Sequence, residues 1–365
     1  MAHIVIDARI INSSTGRYVE RLLTYLEKTD KTNRYTVLVP SVDINFWKPS
    51  KKNFKLVAAD FKNYSFSEQF GFYRLLKRLK ADLVHFCMPQ QPVLYRGNKV
   101  TTVQDLILLN TYNSDKNWFI YHFKQIVGRF VFKSLGKHSS VIIAPSQYTK
   151  RGFIKFAKIP EDKVRVIYDA ADKVHAKPRA YKLPFAKYIL YVGSQTDYKN
   201  IKRLIEAHQK IRDTYDKNLG LVLVGRKGYY TEKHESYAEK IGAEKILFTG
   251  YLPDDQLAYL YENCAVYVFP SLMEGFGLPG LEAMQFGAPV VSSYATCLPE
   301  IYGNSAIFFN PTDTDDIAEK VISVLDDKDL AKDLSKRGTE RVKEFSWQQC
   351  AQETHQAYMD ALGNQ

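Results

Sequence analysis

The sequence predicts an α/β protein with two Rossmann-like domains, each built on a doubly wound parallel sheet. Strand-like hydrophobic runs alternate with helical patterns along the whole chain, which is typical of parallel sheets covered by helices. A second series of such runs begins at Tyr188, after a segment rich in Lys and Pro at residues 173–187. Residues 1–180 carry 31 Lys and Arg against 14 Asp and Glu, a net charge of +17, whereas residues 181–365 carry 20 against 26, a net charge of −6. This contrast predicts two domains with different partners.

The first series of elements occupies residues 1–175, the predicted N-terminal domain. Its helix candidates cover residues 18–27 and 68–79, where apolar side chains recur at helical spacing. Around them lie short runs of β-branched and aromatic residues, which are typical of buried parallel strands. The strand candidates are HIVIDA, YTVLVP, DLVHF, KVTTV and SVIIAP.

The helix candidate at residues 68–79 combines an apolar face with several Lys and Arg side chains. Helical spacing places Phe66, Phe70, Tyr73 and Leu76 near one face. A basic amphipathic helix can lie on an anionic membrane, but a helix between two strands usually packs its apolar face on the sheet. We therefore expect these four side chains to pack on the core. Membrane contact is a separate hypothesis, which the +17 charge of the whole half raises.

The second series occupies residues 186–345, the predicted C-terminal domain. Its strand candidates YILYVG, LGLVLVG, KILFTG and AVYVFP are each followed by a helix candidate. Residues 346–365 then form a helical tail, in which Ser346 and Gln349 have the spacing of a capping box. We expect this tail to pack back toward the N-terminal domain, and the two domains to face a cleft.

The composition excludes several classes of protein. Hydrophobic residues make up 45% of the 365 residues, which supports folded cores. No apolar run reaches the ~20 residues of a membrane-spanning helix, and the N-terminus lacks the features of a signal peptide. The four cysteines are scattered without a C-x-x-C pair, so we expect neither a disulfide framework nor a zinc site. These features predict a cytoplasmic protein without a nucleic-acid partner, while the basic half leaves open a peripheral contact with the inner face of the membrane.

The stretch PSLMEGFGLPGLEAMQFGAP at residues 270–289 is the most informative part of the chain for function. Glu274 and Glu282 stand eight positions apart, separated by a loop rich in Gly and Pro and by the start of a helix. Gly277 lets backbone amides approach a ligand closely, and Pro279 suits the first turn of a helix. The N-terminus of a helix attracts anions. A phosphate cradle beside two carboxylates suits a sugar nucleotide, which combines a diphosphate with ribose and sugar hydroxyls.

This stretch and its flanks resemble the glycosyltransferase family 4 enzymes of the GT-B fold, especially the bacterial mannosyl- and rhamnosyltransferase-like group. The matching stretches run nearly from end to end, and their order and spacing are specific to the family but not to one donor sugar. They include IDAR, DLVHF, VLYRGNKVTTVQDLILL, APSQYTKR, YVGSQTDYKNIKRLIEAH, FTGYLPDDQLAYLY and FSW. The resemblance implies retaining transfer from a nucleotide-activated sugar, without a metal or another cofactor. It also implies that the donor lies mainly against the C-terminal domain and the acceptor against the N-terminal domain.

The same resemblance implies roles for individual residues. Glu282 would bind the ribose of the donor, and Glu274 would contact the transferred sugar as a catalytic group. Lys199 would contact the diphosphate, which gains negative charge as the bond to the sugar breaks. The other predicted donor-binding positions are Gly16, Gly193, Ser194, Arg226, Phe276, Gly277 and Leu278.

Two positions depart from the family pattern. Gln104 stands in a Gln-Asp-Leu sequence where family members commonly have His-Asp-Leu. A glutamine side chain at this predicted catalytic position can donate a hydrogen bond but cannot carry a proton. Ser194 stands where many relatives have arginine. Diphosphate binding would then depend on Lys199 and on Arg226 or Lys227. For Arg226 and Lys227, a position in a solvated loop without a ligand contact is an equal alternative.

Two other signals favour structural roles. Asp313 and Asp315 form a D-x-D pattern, which holds a metal ion in other transferases. Because a helical pattern follows directly, we interpret Asp313 as a helix cap and expect no metal site. His85 ends a strand candidate, and we expect it to be structural or to line the cleft.

The leading hypothesis for function is a retaining glycosyltransferase that moves a hexose to a glycan or a lipid-linked acceptor in the synthesis of a cell-surface polysaccharide or glycolipid. Mannose from GDP-mannose is the preferred donor. A sugar-nucleotide epimerase with the same architecture is one alternative. The other is a binding protein that retained the fold with little catalysis, because the histidine of the family pattern is missing. An assay that tracks free nucleotide and transferred sugar separates the three.

Overall fold

The computed structural model describes residues 1–13, 15–111, 118–171 and 177–363. These residues form two compact units. The N-terminal unit comprises the described residues of Met1–Leu109, His122–Asp169 and Ser346–Gln365, and the C-terminal unit comprises those of Asn110–Tyr121 and Ala170–Phe345. Each unit contains one parallel sheet covered by helices, which confirms the predicted α/β class.

Seven parallel strands form the described sheet of the N-terminal unit. They are β1 (His3–Asp7), β2 (Arg34–Val39), β3 (Phe54–Ala58), β4 (Leu83–Phe86), β5 (Lys99–Thr102), β6 (Val141–Ala144) and β7 (Val164–Val166). Their order across the sheet is β3-β2-β1-β4-β5-β6-β7. The reversal of direction beside β1 is that of a doubly wound sheet. Only β3 and β7, which form the two edges, are absent from the strands predicted from the sequence.

The helices of this unit connect successive strands. They are α1 (Gly16–Thr29), α2 (Tyr73–Leu79), α3 (Ile107–Asn110), α4 (Trp118–His138) and α5 (Gln147–Ala157). The core under α2 includes Phe72, Leu76 and Phe86. A second cluster joins α4 and α5 through Phe132 and Phe153.

The prediction of a single α-helix at residues 68–79 is wrong for the first half of that range. Ser67–Phe72 form a π-helical segment, and α2 covers only the remainder. A π-helical turn contains more residues than an α-helical turn, so it changes which side chains face the sheet. Phe66 and Phe70, which we expected to pack on the core, are 84% and 54% exposed, and Phe72 is buried instead.

Six parallel strands form the described sheet of the C-terminal unit. They are β8 (Tyr188–Val192), β9 (Gly220–Val224), β10 (Ile246–Gly250), β11 (Val266–Phe269), β12 (Val290–Ser293) and β13 (Ala306–Phe309). Their order is β10-β9-β8-β11-β12-β13. The strand order reverses between β8 and β11, and in such sheets a ligand crevice lies outside the carboxyl ends of the strands at this point.

The helices of this unit are α6 (Ile201–Thr214), α7 (Tyr229–Lys240), α8 (Asp254–Asn263), α9 (Leu278–Gln285), α10 (Leu298–Tyr302), α11 (Thr314–Asp326) and α12 (Lys328–Val342). The last helix, α13 (Trp347–Gly363), is part of the N-terminal unit and packs against α1. The rings of Tyr18 and Trp347 are 6.5 Å apart in this contact. No helix in the described part of the chain is long and apolar enough to cross a membrane.

Candidate functional site

Most of the predicted donor-binding residues follow the carboxyl ends of neighbouring strands in the C-terminal unit. Gly193, Ser194 and Lys199 follow β8, and Arg226 follows β9. The stretch from Glu274 to Leu278 follows β11. Since β8 lies between β9 and β11 in the sheet, these loops emerge side by side at the point where the strand order reverses.

Helix α9 begins at this edge of the sheet with a tightly supported turn. Its cap, Gly277, has a φ of +100°, in the left-handed region that favours glycine. The hydroxyl of Tyr302 donates a hydrogen bond to the Gly277 carbonyl over 2.6 Å. A β-carbon on Gly280 would lie 2.3 Å from the Tyr302 ring. The turn therefore depends on glycine at both positions. Pro279 has no amide hydrogen, and the Gly280 amide donates to the Gly277 carbonyl over 3.3 Å. The amide of Leu278, the first residue of α9, is the one in this turn that has no acceptor inside the helix.

Lys199 and Glu274 form an ion pair beside this turn. The Nζ of Lys199 lies 2.5 Å from Oε1 of Glu274, and about 10% of each side chain is exposed. The Lys199 ammonium also lies 5.3 Å from the centre of the Phe269 ring at the end of β11. An ammonium group has three donors, so a lysine in an ion pair can also donate a hydrogen bond to an anionic ligand.

The Glu274 backbone is held by a strained residue from the next loop. The amide of Glu274 donates a hydrogen bond to Oγ1 of Thr296 over 3.1 Å. Thr296 has a φ of +54°, which is rare for a β-branched residue and costs on the order of 1–3 kcal/mol. Strained backbone of this kind is concentrated at functional sites.

Glu282 lies in the second turn of α9, eight positions after Glu274, and only 7% of it is exposed. The hydroxyl of Tyr261, at the end of α8, donates a hydrogen bond to its Oε2 over 3.4 Å. The Tyr261 ring is stacked on Phe286 with the ring centres 5.6 Å apart. This packing fixes the orientation of the Glu282 carboxylate.

The side chain of Phe276 packs away from the turn, and its ring contacts Phe345 edge to face at 5.5 Å. Phe276 thus contributes backbone rather than an aromatic surface, whereas Leu278 is half-buried at the first position of α9.

The loop after β8 is shaped by close contacts with its neighbours. Gly193 has a φ of +148°, and the Tyr191 hydroxyl donates a hydrogen bond to the Ser194 carbonyl over 2.5 Å. A β-carbon on Gly225 would lie 2.2 Å from the Gly193 carbonyl. The side chain of Ser194 is exposed, as is Arg226, whose guanidinium lies 5.9 Å from the centre of the Tyr251 ring.

The N-terminal unit holds the two remaining predicted site residues. Gly16 is the first residue of α1, and a β-carbon there would lie 2.0 Å from the Ile11 carbonyl oxygen. Gln104 follows β5 and is half-buried, and its Nε2 is buried without a hydrogen-bond partner among the described residues. A buried amide donor without a partner is costly, so such an atom points to a ligand or a bound water.

His85 has a structural role in the N-terminal unit. Its Nδ1 lies 2.6 Å from the Tyr358 hydroxyl, and its Nε2 lies 2.8 Å from Oγ1 of Thr102. Complete burial lowers the pKa of His85 to about 3, so the ring is neutral at physiological pH. His85 therefore joins α13 to β4 and β5.

The D-x-D pattern is a helix cap. Oδ1 of Asp313 accepts hydrogen bonds from the amides of Asp315 and Asp316 at the start of α11. Among the described residues, no group of three His, Cys, Asp or Glu side chains is arranged to hold a metal ion.

Three residues of this arrangement were missed in the sequence: Thr296, Tyr302 and Tyr261. Each supports a predicted residue across at least 21 positions of the chain. Tyr261 ends the matching stretch FTGYLPDDQLAYLY, but nothing in that stretch indicates a contact with Glu282. Thr296 and Tyr302 lie outside the matching stretches.

Comparison with known proteins gives matches over nearly the whole chain. Residues 15–173 match the model described as Glycosyltransferase Family 4, and residues 177–341 match the model described as Glycosyl transferases group 1. O-antigen chain mannosyltransferase B of Escherichia coli is 32% identical over 251 residues, which are 65% of this chain and 66% of that protein. The serotype-specific mannosyltransferase WbdA of E. coli is 32% identical over 225 residues, which are 58% of this chain but only 28% of that longer protein.

A solved structure supports the same architecture. Sucrose-phosphate synthase from Thermosynechococcus elongatus has a TM-score of 0.79 at 18% identity, and the match covers all of both chains. At this identity the likeness shows the fold alone. The two family models show that the chain belongs to the family 4 glycosyltransferases. The structural likeness shows that it has the GT-B fold of two Rossmann-like domains.

Proposed function

We propose that this protein is a retaining glycosyltransferase that transfers mannose from GDP-mannose to a glycan or a lipid-linked acceptor in the synthesis of a cell-surface polysaccharide. The observation that carries the proposal is the Lys199–Glu274 ion pair beside the N-terminus of α9, on the helix that also holds Glu282. The choice of mannose is supported by the names of the related O-antigen and serotype-specific mannosyltransferases.

In the proposed reaction the bond between the sugar carbon and the diphosphate oxygen breaks, and the diphosphate leaves with the bonding electrons. Lys199 stabilises the charge that develops on the diphosphate, together with the amide of Leu278 at the start of α9. The acceptor oxygen then bonds to the sugar carbon on the face that the diphosphate left, and a phosphate oxygen takes the acceptor proton. No side-chain base is needed for this step, which is compatible with Gln104 in place of histidine.

The ion pair gives Lys199 and Glu274 a joint role in this proposal. When the diphosphate binds to Lys199, it competes with Glu274 for the ammonium group. The carboxylate of Glu274 is then available for hydroxyls of the transferred sugar. Gln104 and Gly16 remain predicted contacts from the N-terminal unit, and Gln104 would donate a hydrogen bond through its unpartnered Nε2.

We further propose that the reaction needs no metal ion and that the protein works on the cytoplasmic side of a membrane, where nucleotide sugars and lipid-linked acceptors meet. Lys199 would supply the positive charge that a divalent cation supplies in other transferases, assisted by the positive end of the α9 dipole.

The role of Glu282 gives the sharpest test of donor binding. Hydrogen bonds to a charged group contribute roughly 1.5–3 kcal/mol, so Glu282→Ala should weaken the affinity for GDP by about 10- to 100-fold in calorimetry. The control is Tyr261→Phe, which removes a neutral partner of Glu282 and should change the affinity by less than about tenfold. Equal affinities of the wild type and Glu282→Ala would contradict the ribose role.

A further inference from the structure

Two aromatic side chains stand exposed on the segment that leads into α2. Phe66 and Phe70 are 84% and 54% exposed, and their rings are stacked with centres 6.5 Å apart. Soluble proteins bury most phenylalanine side chains. The two stacked rings therefore form an exposed apolar surface that does not contribute to the core of this unit.

The segment is firmly anchored, so the exposure does not result from loose packing. Glu68, which lies between Phe66 and Phe70 in the sequence, is buried and forms an ion pair with Arg9 over 3.0 Å. The Arg9 guanidinium lies 3.9 Å above the ring of buried Phe72 and also pairs with Asp7 over 2.8 Å. These contacts fix the π-helical segment and hold Phe66 and Phe70 outward.

The exposed side of the same segment is strongly basic. Residues 61–81 contain five Lys or Arg and a single acidic residue, the buried Glu68. Arg74, Lys77 and Arg78 are exposed and continue the line of Phe66 and Phe70 at spacings of three and four residues. One side of the segment thus begins with aromatic rings and ends with cations.

Helix α4 repeats this combination. Ile126 and Phe130 are 67% and 63% exposed, and Lys133 and Lys137 are exposed at the next helical positions on that side. The helix contains four Lys or Arg and no acidic residue. Its opposite side packs into the core through residues such as Phe132.

The two helices lie on the same face of the N-terminal sheet. Helix α2 connects β3 to β4, and α4 lies between β5 and β6, so both connections run in the same direction across the sheet. Because such crossovers are right-handed in nearly all proteins, they place both helices on one face. Helix α1 connects β1 to β2 in the opposite direction and therefore lies, with α13, on the other face.

We propose that this face docks on an anionic lipid bilayer. We call it the basic–aromatic face and define it by Phe66, Phe70, Arg74, Lys77, Arg78, Ile126, Phe130, Lys133 and Lys137. The cations attract anionic headgroups, and the four apolar side chains enter the boundary between headgroups and acyl chains. The proposal rests on the proposed function, since it deepens the acceptor class from a glycan in general to one carried by a membrane lipid.

The composition of the face favours a bilayer over a protein partner. Protein–protein interfaces are depleted in lysine, and their charged residues lie at the rim. Here lysine and arginine are mixed with apolar side chains on both helices, and the exposed residues of both segments include no acidic side chain. A surface of this kind matches anionic headgroups, which present negative charge over a wide plane.

Vesicle sedimentation with the full chain tests the proposal. Wild-type protein should sediment with phosphatidylcholine vesicles that contain phosphatidylglycerol, increasingly so as the phosphatidylglycerol content rises, and it should stay in solution with pure phosphatidylcholine. Because each basic residue near an anionic membrane strengthens the attraction to it, Lys77→Glu/Arg78→Glu should bind at least about tenfold more weakly. Phe66→Ser/Phe130→Ser should lose the binding that remains at raised salt.

The matched control is Lys28→Glu/Lys31→Glu, which reverses two cations at the end of α1 on the other face of the sheet. It should bind vesicles like the wild type. Equal binding by Lys77→Glu/Arg78→Glu and the wild type, an equal loss in the control, or equal binding to neutral vesicles would overturn the proposal. A second result would also overturn it. If the wild type binds no vesicles but forms dimers in light scattering, and Phe66→Ser/Phe130→Ser makes it monomeric, the face joins two copies of the chain.

GDP affinity, measured on the same proteins, separates this proposal from the proposed function. All surface variants should bind GDP like the wild type, because none of these side chains belongs to the donor site. Vesicle binding without GDP binding would contradict the proposed function alone, whereas GDP binding without vesicle binding would contradict the docking face alone.

Discussion

Lys199 and Glu274 form a nearly buried ion pair that the proposed donor must disturb in order to bind. An ion pair of this kind contributes little net stability, because the cost of removing two charges from water offsets their attraction. Loss of one partner is far more costly, since it leaves an uncompensated charge. The ion pair thus holds a positive and a negative group at the site, and each neutralises the charge of the other.

A double-mutant cycle tests this balance. Lys199→Met leaves Glu274 without its partner and should destabilise the C-terminal unit by about 3 kcal/mol, a drop in Tm of roughly 6–12 °C. The double variant Lys199→Met/Glu274→Gln should recover most of that loss. Scanning calorimetry is suited to the measurement, because the two units need not unfold in one step. An additive result, with the double variant less stable than either single one, would show that the two charges are not coupled.

At this scale the sequence predicts the residues of the local motif but not their supports. Glu274, Gly277 and Glu282 lie within nine positions. Their spacing around a glycine-rich loop is therefore enough to predict that they belong to one site. Thr296 and Tyr302 reach the same turn from the loop after β12 and from α10. Their contacts depend on how two distant segments pack, which no local pattern reports.

Helix α9 begins at a fixed position because the space around its cap, Gly277, and its third residue, Gly280, is too crowded for a side chain. The Tyr302 ring fills the space beside Gly280, and its hydroxyl holds the Gly277 carbonyl. Tyr302 is fully buried. The turn is therefore rigid before a ligand arrives, and preorganised donors of this kind are what a developing diphosphate charge requires.

Gly280→Ala tests the importance of this packing. The new methyl group would lie 2.3 Å from the Tyr302 ring. Overpacking of a core typically costs 1–3 kcal/mol, and movement of Tyr302 would also displace the Gly277 carbonyl. We expect a lower Tm and weaker binding of GDP. Gly228→Ala is the matched control, because no atom lies within 4 Å of its added methyl group and its φ of 167° is extended backbone. Equal behaviour of the two variants would show that the turn tolerates a side chain.

Elements with a strong hydrophobic period were predictable, and those that depend on tertiary contacts were not. The nine strands predicted from the sequence all have counterparts, whereas β3, β7, β12 and β13 were missed. The missed strands β3 and β7 lie at sheet edges, where partial exposure weakens the hydrophobic signal. The π-helical segment before α2 was missed because the buried pair of Arg9 and Glu68 inverts the expected pattern of burial.

The whole molecule combines a basic N-terminal half with an acidic C-terminal half that holds most of the proposed donor site. The family and the two-sheet architecture were predictable, because the order of motifs along the chain reports them directly. The exposed apolar residues of the basic–aromatic face were not, since the helical period predicted that Phe66 and Phe70 are buried. The charge asymmetry of the sequence therefore predicted contact with a membrane. The face proposed for that contact was identified only from the structure.

The most direct measurement follows the anomeric proton of mannose by NMR while concentrated protein hydrolyses GDP-mannose in EDTA, with water as the acceptor. GDP-mannose carries an α-linked sugar, so a retaining enzyme must release α-mannose first, before mutarotation mixes the two anomers. We expect early α-mannose with the wild type, and a much slower reaction with Glu274→Gln and Glu282→Ala. Release of β-mannose first, an absolute need for a divalent cation, or equal rates in all three proteins would contradict retaining, metal-independent transfer at the site on α9.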